Sequence, residues 1–479
     1  MTDLANRPAP PAPTTVPGDA WATLAATLDG ALVRPGDPDW DDARRAWHLD
    51  VDQHPAAVVA VESAADVAAT MTAARALGLR VAPQSTGHNA APIGDLHDTV
   101  LLRTHRLRSV RVDPLARVAH VGGGAVWGDV TPVAAAHGLA ALAGSAADVG
   151  VAGYTLGGGL SWLARSHGLA ADSVLALEVV TADGRLRRVD AEHDPELFWA
   201  LRGGGGSFAV VTALELRLFP VAELVAGTLF FPLERAEEVL QAWREWVPTV
   251  PEAVTTVGRM LRFPPLPDLP AALAGRGWVV VEAACQLDAA EADRLLAPLR
   301  ALGPEIDTVA TVPVTALADL HMDPPGPVPG RGDGALVRHL PPEAVTALVR
   351  ATGPGVDSPL LSVELRHLGG ALDPSRSRGG ALRGLDAEFA FFAIGITPTP
   401  ESVDVVERAV EAAQYALAPW TRGCYLNFAE VAKDGDAFWG EEVHARLRRV
   451  KARHDPDDLI RANHPVRPAR DHGRPLPPA

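Results

Sequence analysis

The spacing of apolar residues changes several times along the chain, and each change marks an element. Trp21, Leu24, Leu28 and Leu32 recur at helical intervals. The unbroken apolar run 56–61 predicts a buried strand. Ser63 followed by Asp66 predicts a capped helix, with Val67, Met71, Ala74 and Leu77 on one face and Gly78 as its stop. A strand at 79–82 then enters the loop Gln84-Ser85-Thr86-Gly87-His88-Asn89, in the order of an α/β nucleotide-binding layer. Strand patterns recur at 99–102, 109–112, 117–121, 174–181, 185–189 and 208–219, with helical patterns at 126–137 and 196–201.

After Pro220 the pattern becomes that of half-buried, alternating strands, at 226–231, 255–263, 278–285, 361–367 and 389–396. Helices at 233–246, 288–301, 342–352 and 402–418 separate them. Residues 308–342 are rich in Pro and Gly and read as a long irregular loop, a candidate lid. From Tyr425 to Val466 the pattern gives a strand and then a helix. The expected division is a flexible tail at 1–18, one domain at 19–222, a second at 223–420 and a returning C-terminal segment at 421–479.

Composition narrows the function. The 479 residues carry 43 Lys+Arg against 59 Asp+Glu, a formal charge of −16, so a phosphate backbone is repelled and nucleic acid is not an expected partner. Cys285 and Cys424 stand far apart in apolar runs and read as reduced thiols; no metal site is expected. No basic leader or apolar run of about 18 residues is seen, so the expectation is a cytoplasmic protein without a membrane partner. Oligomeric state is left open.

Four motifs carry candidate chemistry. The small residues at 84–88 follow a strand and suit backbone N–H groups converging on an anion, with a plain turn equally compatible. Residues 144–159 hold six glycines with Val149, Val151, Tyr154 and Leu156 between them; a regular helix is not expected, and a backbone packed on a flat ligand is. Arg202 followed by four glycines, Gly203 to Gly206, has the same character. In Cys424-Tyr425-Leu426-Asn427, strand alternation places Tyr425 and Asn427 on one face, either as an acid/base phenol with its amide partner or as a core aromatic. Alternation also pairs Glu364 with Arg366, as substrate contacts or as an exposed ion pair. Trp278, Phe389 and Phe391 read as core.

Taken together the motifs resemble the flavoprotein oxidases of the vanillyl-alcohol oxidase/p-cresol methylhydroxylase superfamily, in its berberine-bridge-enzyme-like branch. The resemblance runs from about residue 47 to 466. It rests on Pro55-Ala-Ala-Val-Val, Ser85-Thr-Gly-His88, Val149-Gly-Val-Ala-Gly153 with Gly157-Gly-Gly159, Leu197-Phe-Trp-Ala-Leu-Arg with the four glycines, Tyr425-Leu-Asn427 and Asp455-Pro-Asp-Asp-Leu-Ile-Arg-Ala-Asn-His464. It implies an α+β fold: a two-part FAD-binding domain of the p-cresol methylhydroxylase type, and a substrate domain whose large antiparallel sheet is backed by helices.

The resemblance further implies FAD bonded covalently to His88. Many relatives carry a second link through a cysteine where this chain has Ala146, so a single link is expected. The implied cofactor-binding set is Gln84, Ser85, Thr86, Gly87, His88, Asn89, Ser145, Asp148, Val149, Gly150, Gly153, Tyr154, Gly157, Gly158, Gly159, Val179 and Asn463. Tyr425 is the implied base, its phenol lowered from about 10 by Asn427, arginine charge or the flavin. Glu364 and Arg366 are candidate substrate contacts. Gln84 replaces a usual arginine, Tyr154 a usual histidine, and Ser207 and Ala209 a usual asparagine and glycine. The implied activity removes a hydride from a carbon bearing O–H or N–H of a small secondary metabolite or sugar-like alcohol, with O2 as acceptor and release of H2O2. A dehydrogenase, an amine oxidase, an oxidative cyclase or lyase, and a non-catalytic flavin-binding protein are the alternatives.

Overall fold

The structure, a computed structural model, describes residues 18–469 apart from Asp268 and Arg378. Most of the expected tail at 1–18 lies outside these. The first part holds two sheets. β1 (Ala31–Val33), β2 (Ala57–Ala60), β3 (Arg80–Gln84) and β4 (Thr99–Arg103) form a four-stranded sheet in the order β1-β2-β4-β3. β2 and β3 both run parallel to β4, and the helix Ala64–Ala76 makes the crossover. Ser63 caps that helix by accepting from the Asp66 N–H, as its spacing predicts. β5 (Val110–Asp113), β6 (Val118–Gly122), β7 (Val174–Val180), β8 (Leu186–Asp190) and β9 (Val210–Arg217) form an antiparallel sheet in the order β5-β6-β9-β7-β8.

The second part is one antiparallel sheet of eight strands: β10 (Glu223–Pro232), β11 (Val254–Arg262), β12 (Gly277–Cys285), β13 (Ile306–Asp307), β14 (Ala310–Pro313), β15 (Gly330–Val337), β16 (Leu360–His367) and β17 (Phe389–Ile396). Its main path is β13-β10-β12-β11-β16-β17-β15. The helices Ala236–Trp246, Ala289–Arg300, Pro342–Thr352 and Pro400–Leu417 cover one face, where Trp243, Phe389 and Phe391 are buried in a single core. The opposite face looks toward the first part. Trp278 is fully buried as well, so the three aromatics read as core are core.

Three local expectations are overturned. The glycine-rich passage contains a short helix, Val151–Leu156, which tolerates Gly153 and ends where Gly158 and Gly159 turn left-handed at φ +118° and +82°. The long loop is shorter than its composition suggests, because β14 and β15 lie within it. The glycines of β15 read as breakers, yet Gly332 and Gly334 are needed for close approach: a Cβ there would stand 2.8 Å from the Phe392 ring and 2.7 Å from the Phe391 carbonyl. Tyr425 does not start a strand. It is extended and leads into a 3₁₀ turn, Leu426–Phe428.

The C-terminal stretch is tied back to the first sheet. Lys451, fully buried, donates to Asp455 and to the carbonyls of Ser207 and Ile460. Val81 and residues 459–461 then exchange backbone hydrogen bonds. Among the described residues no helix is long and apolar enough to cross a membrane.

Candidate functional site

A cavity of about 430 Å³ lies between the first part and the open face of the large sheet. Its first wall is the loop that follows β3. Gly87 has φ +86°, and a Cβ there would lie 2.9 Å from Ala46 and Gln84, so glycine alone makes this turn. Among the described residues the backbone N–H groups of 86–89 donate to no other protein group. Gln84 turns its side chain away into a reciprocal amide pair with Gln53, 3.0 Å each way. Ser85 donates to the Gly124 carbonyl, and Thr86 Oγ1 lies 2.8 Å from His88 Nδ1. The His88 ring stacks on Trp47 with centroids 4.1 Å apart. Asp148 Oδ2 accepts from Trp47 Nε1 at 2.6 Å, and its other oxygen stands 3.4 Å from His88 Nε2. Burial opposes it, but these two partners hold the Asp148 carboxyl below the usual range. Asn463 donates to the Asn89 carbonyl and Asn89 to that of Ala429, so the C-terminal segment fixes the loop's far end.

The second wall is the glycine passage. Ser145, Ala146, Val149, Gly150, Gly153, Tyr154 and Gly157 line the cavity. Gly153 faces open space, and Gly144 and Gly159 admit the Tyr154 ring, which a Cβ at either would touch at 2.9 and 2.5 Å. Gly158 and Gly159 stand behind this wall, and Val179 is core.

Tyr425 and Asn427 meet on this wall through the 3₁₀ turn. The Tyr425 oxygen accepts from the Gly159 N–H at 2.8 Å and from Asn427 Nδ2 at 3.0 Å, and Asn427 also donates to the Tyr154 carbonyl. The protein groups around it do not by themselves lower the phenol. Tyr425 is 2% exposed, and burial pushes its phenol above the ordinary value despite both donors and the Arg366 charge.

Opposite lies a buried charged cluster. Arg259, Glu282, His321 and Glu364 are each at most 3% exposed, so Glu364 and Arg366 are no surface ion pair. Arg366 Nε donates to Glu364 Oε1 at 2.7 Å. His321 sets Nδ1 2.8 Å from Glu282 and Nε2 2.7 Å from Glu364 Oε2. Arg259 and Arg366 each also set a guanidinium nitrogen 3.0 Å from this Nε2, so donors and an acceptor crowd the same ring atom. Burial and the Arg259 charge oppose its protonation, but Glu282 and Glu364 hold the imidazole above its ordinary range. Burial likewise disfavours the Glu364 anion, yet Arg366 and His321 keep it far below the usual carboxylate range. Arg366 stacks over Phe428, which packs on Tyr425 and so links the cluster to the phenol.

Sequence reasoning missed Trp47, Arg259, Glu282, His321 and Asp323. Asp323 accepts from Ser145 at 2.8 Å across the cavity. Between His321 and Asp323, Met322 takes φ +56°, a backbone state unusual for a side chain of its size. That turn was the one signal available, and it is a structural one.

The residues fit FAD. Free N–H groups at 86–89 suit a pyrophosphate, glycines open the wall to a flat ring, and His88 Nε2, Asn89 Oδ1 and the Tyr154 hydroxyl are buried without hydrogen bonds. Residues 55–190 match the FAD binding domain family, and residues 424–467 the berberine and berberine-like family. An uncharacterized FAD-linked oxidoreductase, YgaK, of Bacillus subtilis is 27% identical over 92% of this chain and 98% of its own. The (R)-6-hydroxynicotine oxidase of Paenarthrobacter nicotinovorans is 32% identical, over 47% of this chain and 46% of its own, so this match spans less than half of either. The glucooligosaccharide oxidase of Acremonium strictum, whose FAD is 6-S-cysteinyl and 8α-N1-histidyl, has the same fold at TM-score 0.77 and 24% identity, covering 94% of this chain and 99% of that one. Both family segments stand in order on this fold, so the chain is similar to FAD-linked oxidoreductases that pair a FAD binding domain with a berberine-like C-terminal segment.

Proposed function

We propose that the protein is an oxidase of a small organic molecule, removing a hydride from a carbon that bears O–H or N–H and passing the electrons to O2 with release of H2O2. The observation that carries this reading is the Tyr425 oxygen, held by the Gly159 N–H and Asn427 Nδ2 on the cavity that the 84–89 loop also lines. FAD, when bound, supplies the acceptor for the hydride and the route to O2. Two donors on one phenolic oxygen stabilise charge that develops there, while burial disfavours a free phenolate. To act as base Tyr425 must stand as the phenolate that these two donors stabilise, and it becomes the neutral phenol as it takes the substrate's O–H or N–H proton while the hydride departs. Arg366 and Glu364 orient the reacting group from the sheet side. FAD is held by a single link through His88, with Ala146 unable to form a second.

Acid precipitation tests the linkage: yellow pellet and flavin mass on the His88 peptide are expected, whereas yellow supernatant removes the link. Tyr425→Phe tests the base. Its flavin content is expected unchanged and its turnover down by about 10²-fold or more. Unaltered turnover removes Tyr425 from the role. Air reoxidation slower than turnover by an organic acceptor makes the enzyme a dehydrogenase instead.

A further inference from the structure

The chemistry of the cavity wall separates two kinds of substrate. Facing the first part, the open face of the large sheet is charged at one end and apolar at the other. Arg259, His321, Glu364 and Arg366 gather at the end nearest Phe428 and Tyr425. Phe392 stands beside Glu364 and packs on Phe428, and beyond them the wall is Leu261 on β11, Ile394 and Ile396 on β17, and Met322 and Val328 from the crossing loop. Phe392, Ile394 and Ile396 alternate with buried residues, so all three point to one side, and each is half-buried.

The polar groups in reach are mostly committed. Asp323 accepts from Ser145, Glu430 accepts from the Gly332 N–H, and Glu364 faces Arg366 and His321. Apart from Arg259 Nε in the charged cluster and the groups on the FAD side, two buried cavity groups are without hydrogen bonds: the Ser362 hydroxyl and the His48 ring, whose Nε2 lies 3.6 Å from Glu430. A sugar ring brings a hydroxyl on nearly every carbon, and each one pressed on this wall loses its water without replacement. A compact hydrocarbon or aromatic body with one or two polar groups meets no such loss.

We propose that this site takes an apolar-bodied alcohol or amine, its reacting O–H or N–H at the Tyr425–Arg366 end and at most one further polar group at Ser362 or His48, and that it does not take sugars or sugar oligomers. The inference rests on the oxidase reading above for the identity of the reacting end. The class itself follows from the wall.

The test is equilibrium binding to the flavin-loaded protein, read by perturbation of the flavin absorption band and by tryptophan fluorescence. The probes are 1-phenylethanol, 1-phenylethylamine and 1-cyclohexylethanol, set against glucose, cellobiose and N,N′-diacetylchitobiose. At least one apolar-bodied probe is expected to saturate the site at a concentration ten-fold or more below any sugar. Ile394→Asn is expected to weaken that probe about ten-fold, and Ile396→Ser serves if the first variant does not fold. A sugar that binds as well as the apolar probes overturns the class, as does flavin-loaded protein that none of them perturbs. Bleaching of the band in the absence of air is read separately. Probes that bind without bleaching it leave the class standing and sink the oxidase reading.

Discussion

Gly157 has no room for a side chain. A Cβ at this position would stand 1.8 Å from Asn427 Oδ1, so Gly157→Ala displaces the amide that donates to Tyr425. Misplacing a catalytic group by about 1 Å costs on the order of 10²-fold in rate. A drop of that size in kcat with flavin content unchanged is expected, and single-turnover kinetics would read it. Glu282 makes a second case at this scale. It shares His321 with Glu364 and pairs with Arg259 at 3.0 Å, all out of water. Glu282→Gln leaves a guanidinium and an imidazolium short of one counter-charge, a loss of about 3 kcal/mol that urea unfolding would measure. The pH dependence follows from the two shifts. The raised His321 contributes stability in full below about 6.5 and loses it as pH rises through its folded value. The depressed Glu364 contributes in full above about 4.3 and loses it as pH falls through its own. Removing Glu282 takes away a support of the imidazolium, so the alkaline limb of the stability profile is expected to move to lower pH while the acid limb stays.

At the scale of elements, the segment His321–Met322–Asp323 joins the two halves of the cavity. His321 is tied to β12 and β16, Asp323 to the glycine passage, and the left-handed Met322 turns the chain between them. Asp323→Ala removes one hydrogen bond, worth about 1 kcal/mol, and frees the strap from Ser145. KM is expected to rise with kcat little changed; an equal fall in kcat and kcat/KM would place Asp323 in the chemistry instead. This strap also shows where the sequence stops being readable. The 84–89 loop and the glycine passage were legible because their requirements are local: small residues adjacent in the chain, held by backbone geometry. Glu364 and Arg366 were legible as a pair because strand alternation puts them on one face. His321 was not. Its partners lie 39 and 43 residues away on two strands, and a single histidine in a Pro/Gly-rich stretch carries no period. Tyr425 and Asn427 were paired for the wrong reason, since a tight turn joins them where a strand was expected. Glycines misled twice, hiding the helix Val151–Leu156 and β15, because they serve close approach as well as flexibility.

For the whole molecule, the cavity lies where the two parts face each other, so how a cofactor is held there decides how the fold responds to its supply. If His88 carries the covalent link, FAD cannot leave, and the unfolding midpoint is independent of added FAD. His88→Ala converts the cofactor into an ordinary ligand. Its stabilisation then follows mass action, about 2.7 kcal/mol at one hundred times Kd. With roughly 2 cal/mol/K of unfolding entropy per residue, 479 residues give on the order of 1 kcal/mol/K, so the midpoint should climb by about 3 °C across that range of free FAD. The remaining contacts of the loop explain why the variant still binds: the N–H groups of 86–89, the clamp from Asn463 and the glycine wall do not depend on the imidazole. Thermal unfolding of the native protein and of His88→Ala over a series of FAD concentrations checks this. A native midpoint that moves with FAD as the variant's does would show that His88 holds its place by stacking on Trp47 and not by a bond to the cofactor.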